Sequence, residues 1–214
     1  MTDVLIASVV MPERGTFFVR CPDELSMRDE DRGRRVVVSL DYGVDVGEVA
    51  SAAPYDPSQH GQRIPGFRLE RFIRDSDVER LAENEKLAES MGRAFEESAR
   101  ADVQGLKVLS ARLSLGRTRL FVRFVADQRR PDLARAVGEM KRGFGVSVNA
   151  WQMGPRDEVA CMGALGPCGR VCCCASWQKR FPAKITVPEG TNPAAVNGVC
   201  GRFKCCLNFE SFGE

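Results

Sequence analysis

The sequence predicts an α+β protein that ends in an irregular, cysteine-rich module. Three observations predict it. Apolar residues alternate along several short runs in the first 65 residues, as half-buried strands require. Between residues 66 and 152 apolar residues recur at helical spacing twice, with alternating runs between and after them. From Gly163 onward glycine, proline and cysteine displace both periodicities, and eight of the nine cysteines lie beyond residue 160. The expected organisation is a small β-rich unit over residues 1–65, an α+β sandwich over 66–152 and a cysteine-rich metal or cluster module over 153–214.

In the first unit, Val4–Val10, Thr16–Arg20 and Val36–Leu40 read as strands. Asp41-Tyr42-Gly43 is a turn, and Val44–Ala52 returns as a hairpin arm. Charged Met27–Arg35 reads as a loop. Pro54–Gly66, with three prolines and His60, reads as a linker in which that histidine has no cysteine nearby to share a metal.

From Asp75 the apolar residues Val78, Leu81, Ala88, Met91 and Phe95 fall on one helical face. Asp75 or Ser76 suits the N-cap, and the helix should end before Gly105. Leu106–Leu115 and Thr118–Ala126 then predict a strand pair turning at Gly116-Arg117, with Leu120, Val122 and Phe124 facing a core. Pro131 suits the first turn of a second helix with Leu133, Val137 and Met140 as its buried stripe and Gly143 as its stop. Val146, Val148 and Ala150 mark a last strand. The order α-β-β-α-β predicts a ferredoxin-like or related sandwich, with room for a completing strand near Phe67–Ile73. Such a fold hosts many functions and decides none.

Composition narrows the function classes. The 214 residues are 43% hydrophobic and 28% charged, ordinary for a globular domain. A net charge of +2 argues against a general nucleic-acid coat but leaves room for a local basic patch. The Met1–Ala7 start has no basic segment followed by an apolar one, so no signal peptide is expected. No run approaches the roughly 18 apolar residues of a membrane span, so no membrane insertion is expected. The expected compartment is the cytoplasm, where thiols stay reduced and disulfides are disfavoured. With a single histidine, no phosphate-cradling P-loop and no Ser–His–Asp arrangement, the expectation is a protein that is not an enzyme.

The chemistry lies in the tail. Cys168-Gly169-Arg170-Val171-Cys172-Cys173-Cys174 aligns with Cys200-Gly201-Arg202-Phe203-Lys204-Cys205-Cys206, and both read C-G-R-x-x-C-C. The repeat predicts two matched turns brought together in space. Cys161 and Cys172 fall outside it. A glycine after the first cysteine lets the backbone fold back so that amides can point at sulfur, which stabilises thiolates. Arg170, Lys179, Arg180, Lys184, Arg202 and Lys204 accompany a single acid, Glu189, between Cys168 and Cys206. Such a cationic setting favours thiolates, and Arg170, Lys179, Arg180, Arg202 and Lys204 are candidate phosphate or partner contacts.

Structural zinc takes cysteines at C-x2–4-C spacing, and the C-x4-C spacing here also occurs in plant-type iron–sulfur proteins. Six repeat cysteines, Cys168, Cys173, Cys174, Cys200, Cys205 and Cys206, exceed the four of one site. The residues leave iron–sulfur and zinc both open, with iron–sulfur ahead. A thiol redox protein using one of the vicinal pairs is a further alternative, although no thioredoxin-like C-x-x-C with a following helix is present.

These residues also carry a resemblance. Met162–Arg170, Cys173-Cys174, Gly198–Arg202 and Cys205–Glu210 resemble the signature of the bacterial RicT/YaaT family, whose C-terminal domain was first named for a yeast polymerase-suppressor protein. Arg156-Asp157-Glu158, Phe124–Asp127, the helix from Pro131 and the stretch Asn84–Ala88 are similar as well. The sequence departs from the family pattern at Cys161 and Cys172 and in a shorter stretch between the repeats. The resemblance implies a cytoplasmic accessory factor rather than a nuclease. It implies a complex with small helical partner proteins that binds [4Fe–4S] clusters, assists RNase Y in messenger-RNA processing and affects sporulation. Carried over by position, it implies that the cluster ligands come from the six repeat cysteines. A zinc-stabilised RNA-binding module in direct contact with RNA is the alternative.

Trp151 and Trp177 flank the tail and are expected to pack beneath it. Arg129-Arg130 and Lys141-Arg142 read as solvated helix ends, and Arg156-Asp157-Glu158 as a structural ion pair or partner contact.

Overall fold

A computed structural model describes residues 4–25, 27–61, 63–176, 190, 192 and 196–209. Its mixed helix and strand content makes the chain an α+β protein. The first unit is a closed barrel of β1 (Leu5–Met11), β2 (Gly15–Arg20), β3 (Arg35–Leu40), β4 (Gly43–Pro54) and β5 (Arg68–Phe72), in the order β1-β2-β5-β3-β4. Hairpins join β1 to β2 and β3 to β4, and β4 closes the barrel on β1. Ala7, Val9, Val19, Val36, Val38, Val49 and Leu69 fill its interior. β4 passes so close to β1 that a Cβ on Gly47 would lie 2.4 Å from the Val9 side chain and 2.5 Å from the Met11 sulfur.

The strand near Phe67–Ile73 does not complete the sandwich. As β5 it pairs antiparallel with β3, from Val36–Phe72 to Ser39–Arg68, and touches β2 in parallel at Arg20–Arg68. The physical reason is closure: without β5 the edges of β2 and β3 would both be unpaired. The expected linker after Pro54 contains a short helix, α1 (Pro57–His60), capped by the Asp56 side chain, which accepts from the Ser58 amide at 2.8 Å. His60 sits there between Phe18 and Tyr55, with Nδ1 2.9 Å from the Asp56 amide.

The second unit is a three-stranded sheet, β6 (Lys107–Leu113), β7 (Arg119–Val125) and β8 (Ser147–Gln152), in the order β6-β7-β8. β6 and β7 are antiparallel; β7 and β8 are parallel, linked through a helix. Helices α2 (Asp75–Arg100) and α3 (Ala134–Phe144) cover one face. The period of two along β7 divides its side chains. Leu120, Val122 and Phe124 pack with Ala88, Met91 and Phe95 of α2, while Phe121 points into the barrel-side core.

Three helix ends differ from expectation. α2 is capped at Arg74 instead of Asp75 or Ser76, because Asp77 turns back to accept the Arg74 amide at 2.9 Å. α3 begins at Ala134, three residues after Pro131, where Asp132 accepts the Ala134 amide at 2.9 Å. It also runs past Gly143 and ends at left-handed Gly145, φ 69°, which supplies the αL cap. Val78 at the start of α2 is 47% exposed and lies off the buried stripe.

Barrel and sheet are joined by a buried polar centre. Asp45 on β4 has no exposed surface. Its carboxylate accepts from the Tyr42 hydroxyl at 2.9 Å, the Val46 amide at 2.9 Å, the Leu115 amide at 3.2 Å and both terminal nitrogens of Arg112 on β6. Burial and then the neighbouring Asp45 charge push the Tyr42 phenol up. Trp151 stacks on Phe121 at 5.8 Å and belongs to this seam, not beneath the cysteine tail.

Candidate functional site

Beyond β8 the chain forms α4 (Pro155–Met162), which the fading apolar pattern did not suggest. Its signals are local: Pro155 at the first position, Asp157 accepting the Gly154 amide at 3.1 Å, and left-handed Gly163 at the end. Arg156-Asp157-Glu158 is thus the first turn of a helix. Val159 of this helix is the apolar floor on which Cys172, Cys174 and Cys200 pack.

The two cysteine segments fold alike. In the first, the Gly166 amide donates to the Arg170 carbonyl at 2.8 Å, Gly169 to Gly166 at 3.0 Å and Cys172 to Ala164 at 2.8 Å. In the second, Gly198 donates to Arg202 at 2.8 Å, Gly201 to Gly198 at 3.0 Å and Lys204 to Val196 at 2.8 Å. Every partner is shifted by the same 32 positions. The bridges Leu165–Val171 and Asn197–Phe203 are displaced by the same step. Gly169 and Gly201 have φ of 75° and 67°, which an L side chain rarely adopts, so glycine after the first cysteine is a backbone requirement. Their amides close the turns on carbonyl oxygens, however, and so do not point at sulfur. Each segment then coils: α5 (Cys173–Ser176) follows the first turn and a 3-10 turn, Cys205–Phe209, the second.

The repeat in space is longer than the repeat read from sequence. It reaches back to Ala164 and Val196, and it includes Gly166 and Gly198, where a Cβ would meet the first cysteine of its own turn: Cys168 Sγ at 3.5 Å and Cys200 Sγ at 3.7 Å. A G-x-C-G-R-x-x-C-C pattern carries this signal.

Both turns line one cavity of about 250 Å³. The six repeat cysteines, Cys168, Cys173, Cys174, Cys200, Cys205 and Cys206, reach it, and so does Cys172. Cys172 is buried, and leaving it outside the thiol set does not match its position. Cys161 is exposed and off the cavity, and Cys21 lies in the barrel core. Arg170 and Arg202 are exposed, and Lys204 is half-buried on the cavity wall. Lys179, Arg180, Lys184, Glu189 and Trp177 lie outside the described residues. Arg156 is a further neighbour of the thiols, brought there by the fold and not by the repeat. Its Nη2 donates to the Phe203 carbonyl at 3.4 Å, and its charge favours the Cys205 thiolate.

Burial governs the thiols more than the cations do. It pushes Cys174 up to about 12, helped by hydrogen bonding with Cys172. It also raises Cys173, followed by the neighbouring Cys205, and raises Cys205 against the pull of Arg156. A metal or cluster bound here must therefore displace protons. In chemistry the donor set suits a thiolate-ligated group: seven cysteines face one cavity on two glycine-shaped turns. In geometry, among the described residues, no three His, Cys, Asp or Glu side chains are arranged to hold a metal ion.

A family model described as the third domain of PSP1-like proteins matches residues 190–212. The chain is also 28% identical over 181 residues to stage 0 sporulation protein YaaT of Bacillus subtilis (strain 168). That alignment covers 82% of this chain and 65% of the relative, so the chain spans less than two thirds of the relative's length. No solved structure matches. Among the described residues no helix is long and apolar enough to cross a membrane. Together the two matches make this chain similar to YaaT over most of its length and to the third domain of PSP1-like proteins near its end.

Proposed function

We propose that the chain is a non-enzymatic, cytoplasmic regulatory protein that binds an iron–sulfur cluster through its paired cysteine turns. The observation that carries the reading is the cavity between two copies of one turn, with seven thiols around it. Cys168, Cys173 and Cys174 from the first turn, and Cys200, Cys205 and Cys206 from the second, would hold the cluster. Cys172 is a seventh donor beside them. When bound, a cluster supplies a redox- and oxygen-sensitive group whose loss would loosen the contact between the turns. The chain's own residues do the rest: the glycine turns fix the first cysteines, and Val159 packs under the thiols. Arg156 offsets thiolate charge at Cys205.

The resemblance extends the proposal. The cluster would be [4Fe–4S] in type and shared with partner chains, and the protein would act with a multi-protein complex on RNase Y-dependent messenger-RNA processing. The relative's name, a stage 0 sporulation protein, supports a regulatory role of this kind.

The test is metal and sulfide analysis of protein purified without air, beside Cys168→Ser and Cys200→Ser. Iron and acid-labile sulfide in the parent, lost in both variants, is the expected result. Stoichiometric zinc without iron, with or without partner chains, would overturn it in favour of a zinc-stabilised RNA-binding module.

A further inference from the structure

A second cavity, of about 580 Å³, opens at the carboxyl ends of β7 and β8. Residues 126–130, which follow β7, form one wall. Gln152–Pro155, which end β8 and begin α4, form another, and Arg202 of the second cysteine turn completes it. In open sheets with parallel strands linked by a helix, ligands bind in the crevice outside the carboxyl ends of the strands. β7 and β8 are such a pair.

The lining is strongly cationic. Arg129, Arg130 and Arg202 bring three guanidinium groups, against one carboxylate, Asp127, which lies against Gly105. Among the described residues none of the three guanidinium groups makes an ion pair or hydrogen bond. The loop that carries two of them is nevertheless fixed. The Gln152 side-chain amide donates to the carbonyls of Ala126 at 3.2 Å and Gln128 at 2.6 Å, and its oxygen accepts from the Arg130 amide at 3.3 Å. Arg130 takes a φ of 55°, uncommon for a residue with a side chain. Two like charges on a built loop and a third from the second cysteine turn, with no carboxylate paired to them, suit an anion with planar oxygen faces. The N-terminus of α4 adds little, since Asp157 already occupies it.

We propose that this cleft binds the phosphate backbone of a single-stranded nucleic acid. A free phosphate ion fits less well. All three arginines are solvent-exposed, and an exposed guanidinium is screened and individually weak. Affinity must come from several phosphates engaged along an open cleft, through release of their counterions. The inference does not rest on what the six repeat cysteines bind, although the second cysteine turn supplies Arg202.

The experiment uses the full chain and a fluorescent short oligouridine, followed by anisotropy across a salt series. Affinity should fall log-linearly with salt, with a slope of about 0.7 per phosphate contact for a single strand. Arg129→Gln/Arg130→Gln and, separately, Arg202→Gln should each weaken binding about fivefold or more and flatten the slope by roughly one contact per charge removed. Arg93→Gln/Arg142→Gln, on exposed helix surfaces, should leave both quantities unchanged. Wild-type binding by the cleft variants would overturn the proposal, as would an equal loss in the control pair. Displacement by millimolar inorganic phosphate beyond that by chloride at equal ionic strength would also overturn it, in favour of a small-anion site. Equally tight binding of a phosphoserine peptide of matched charge would overturn it in favour of a protein ligand.

Discussion

Asp45 and Arg112 form a two-pronged ion pair across the seam between barrel and sheet, at 3.1 and 3.0 Å. Asp45 is wholly buried, whereas the Arg112 side chain keeps a quarter of its surface exposed. Removing the arginine strands a buried carboxylate; removing the Tyr42 hydroxyl deletes one of several donors. We expect Arg112→Met to lose about 3 kcal/mol and Tyr42→Phe about 1 kcal/mol in urea unfolding. Equal losses would mean that the guanidinium is not what keeps the carboxylate satisfied.

Gly47 tests the closure of the barrel. A methyl group there meets the Val9 and Met11 side chains below 3 Å and the Val10 carbonyl at 3.0 Å. Gly47→Ala should cost roughly 1–3 kcal/mol, as overpacking does. Gly66→Ala, with nothing within 4 Å of the new group, should be nearly neutral. Thermal melts of both variants decide the matter.

Asp77 links stability to pH. The Arg71 guanidinium, one of whose contacts is 3.0 Å, and then the Arg74 amide hold this carboxyl down to about 2 against the effect of burial. Its ordinary value is 3.8. A folded value below the unfolded one gives stabilisation that is full above about pH 4 and lost as pH falls through 2. We expect roughly 1–2 kcal/mol of acid-labile stability in that window, absent in Asp77→Asn. Parallel acid-unfolding curves for the two proteins would refute the linkage.

The cysteine turns predict a graded response to substitution. On the proposed cluster reading, Cys161→Ser should retain all bound iron, because Cys161 is exposed and off the cavity. Cys168→Ser and Cys200→Ser should lose it to the same extent, because the two occupy equivalent places. Gly169→Ala and Gly201→Ala, strained by about 1 kcal/mol each at positive φ, should weaken loading without abolishing it. Iron per chain, read beside each variant's melting temperature, separates these outcomes.

Much of this architecture is legible in the residues because it is local. The alternation of Leu120, Val122 and Phe124 and the helical spacing of Ala88, Met91 and Phe95 both place a core that the fold retains. What escaped depends on distant partners. The five residues Arg68–Phe72 suit either sheet by pattern, and only closure of the barrel assigns them. Cys172 breaks the repeat, so sequence logic sets it aside; the fold brings it back, because burial on Val159 does not depend on a motif. The short helix α4 was readable from Pro155, Asp157 and Gly163, but only to a search for caps rather than for periodicity. Arg156 gained its place beside Cys205 from a carbonyl 47 residues away.

Seven thiols around one cavity also make a chemical liability. Oxidation joins thiols two at a time, and seven cannot be fully paired, so at least one sulfur is left to react with another oxidant or another molecule. The raised pKa values of Cys173, Cys174 and Cys205 slow the first step, since the thiolate is the reactive form. Alkaline handling removes that protection. A preparation's exposure to air and base thus becomes part of its covalent structure.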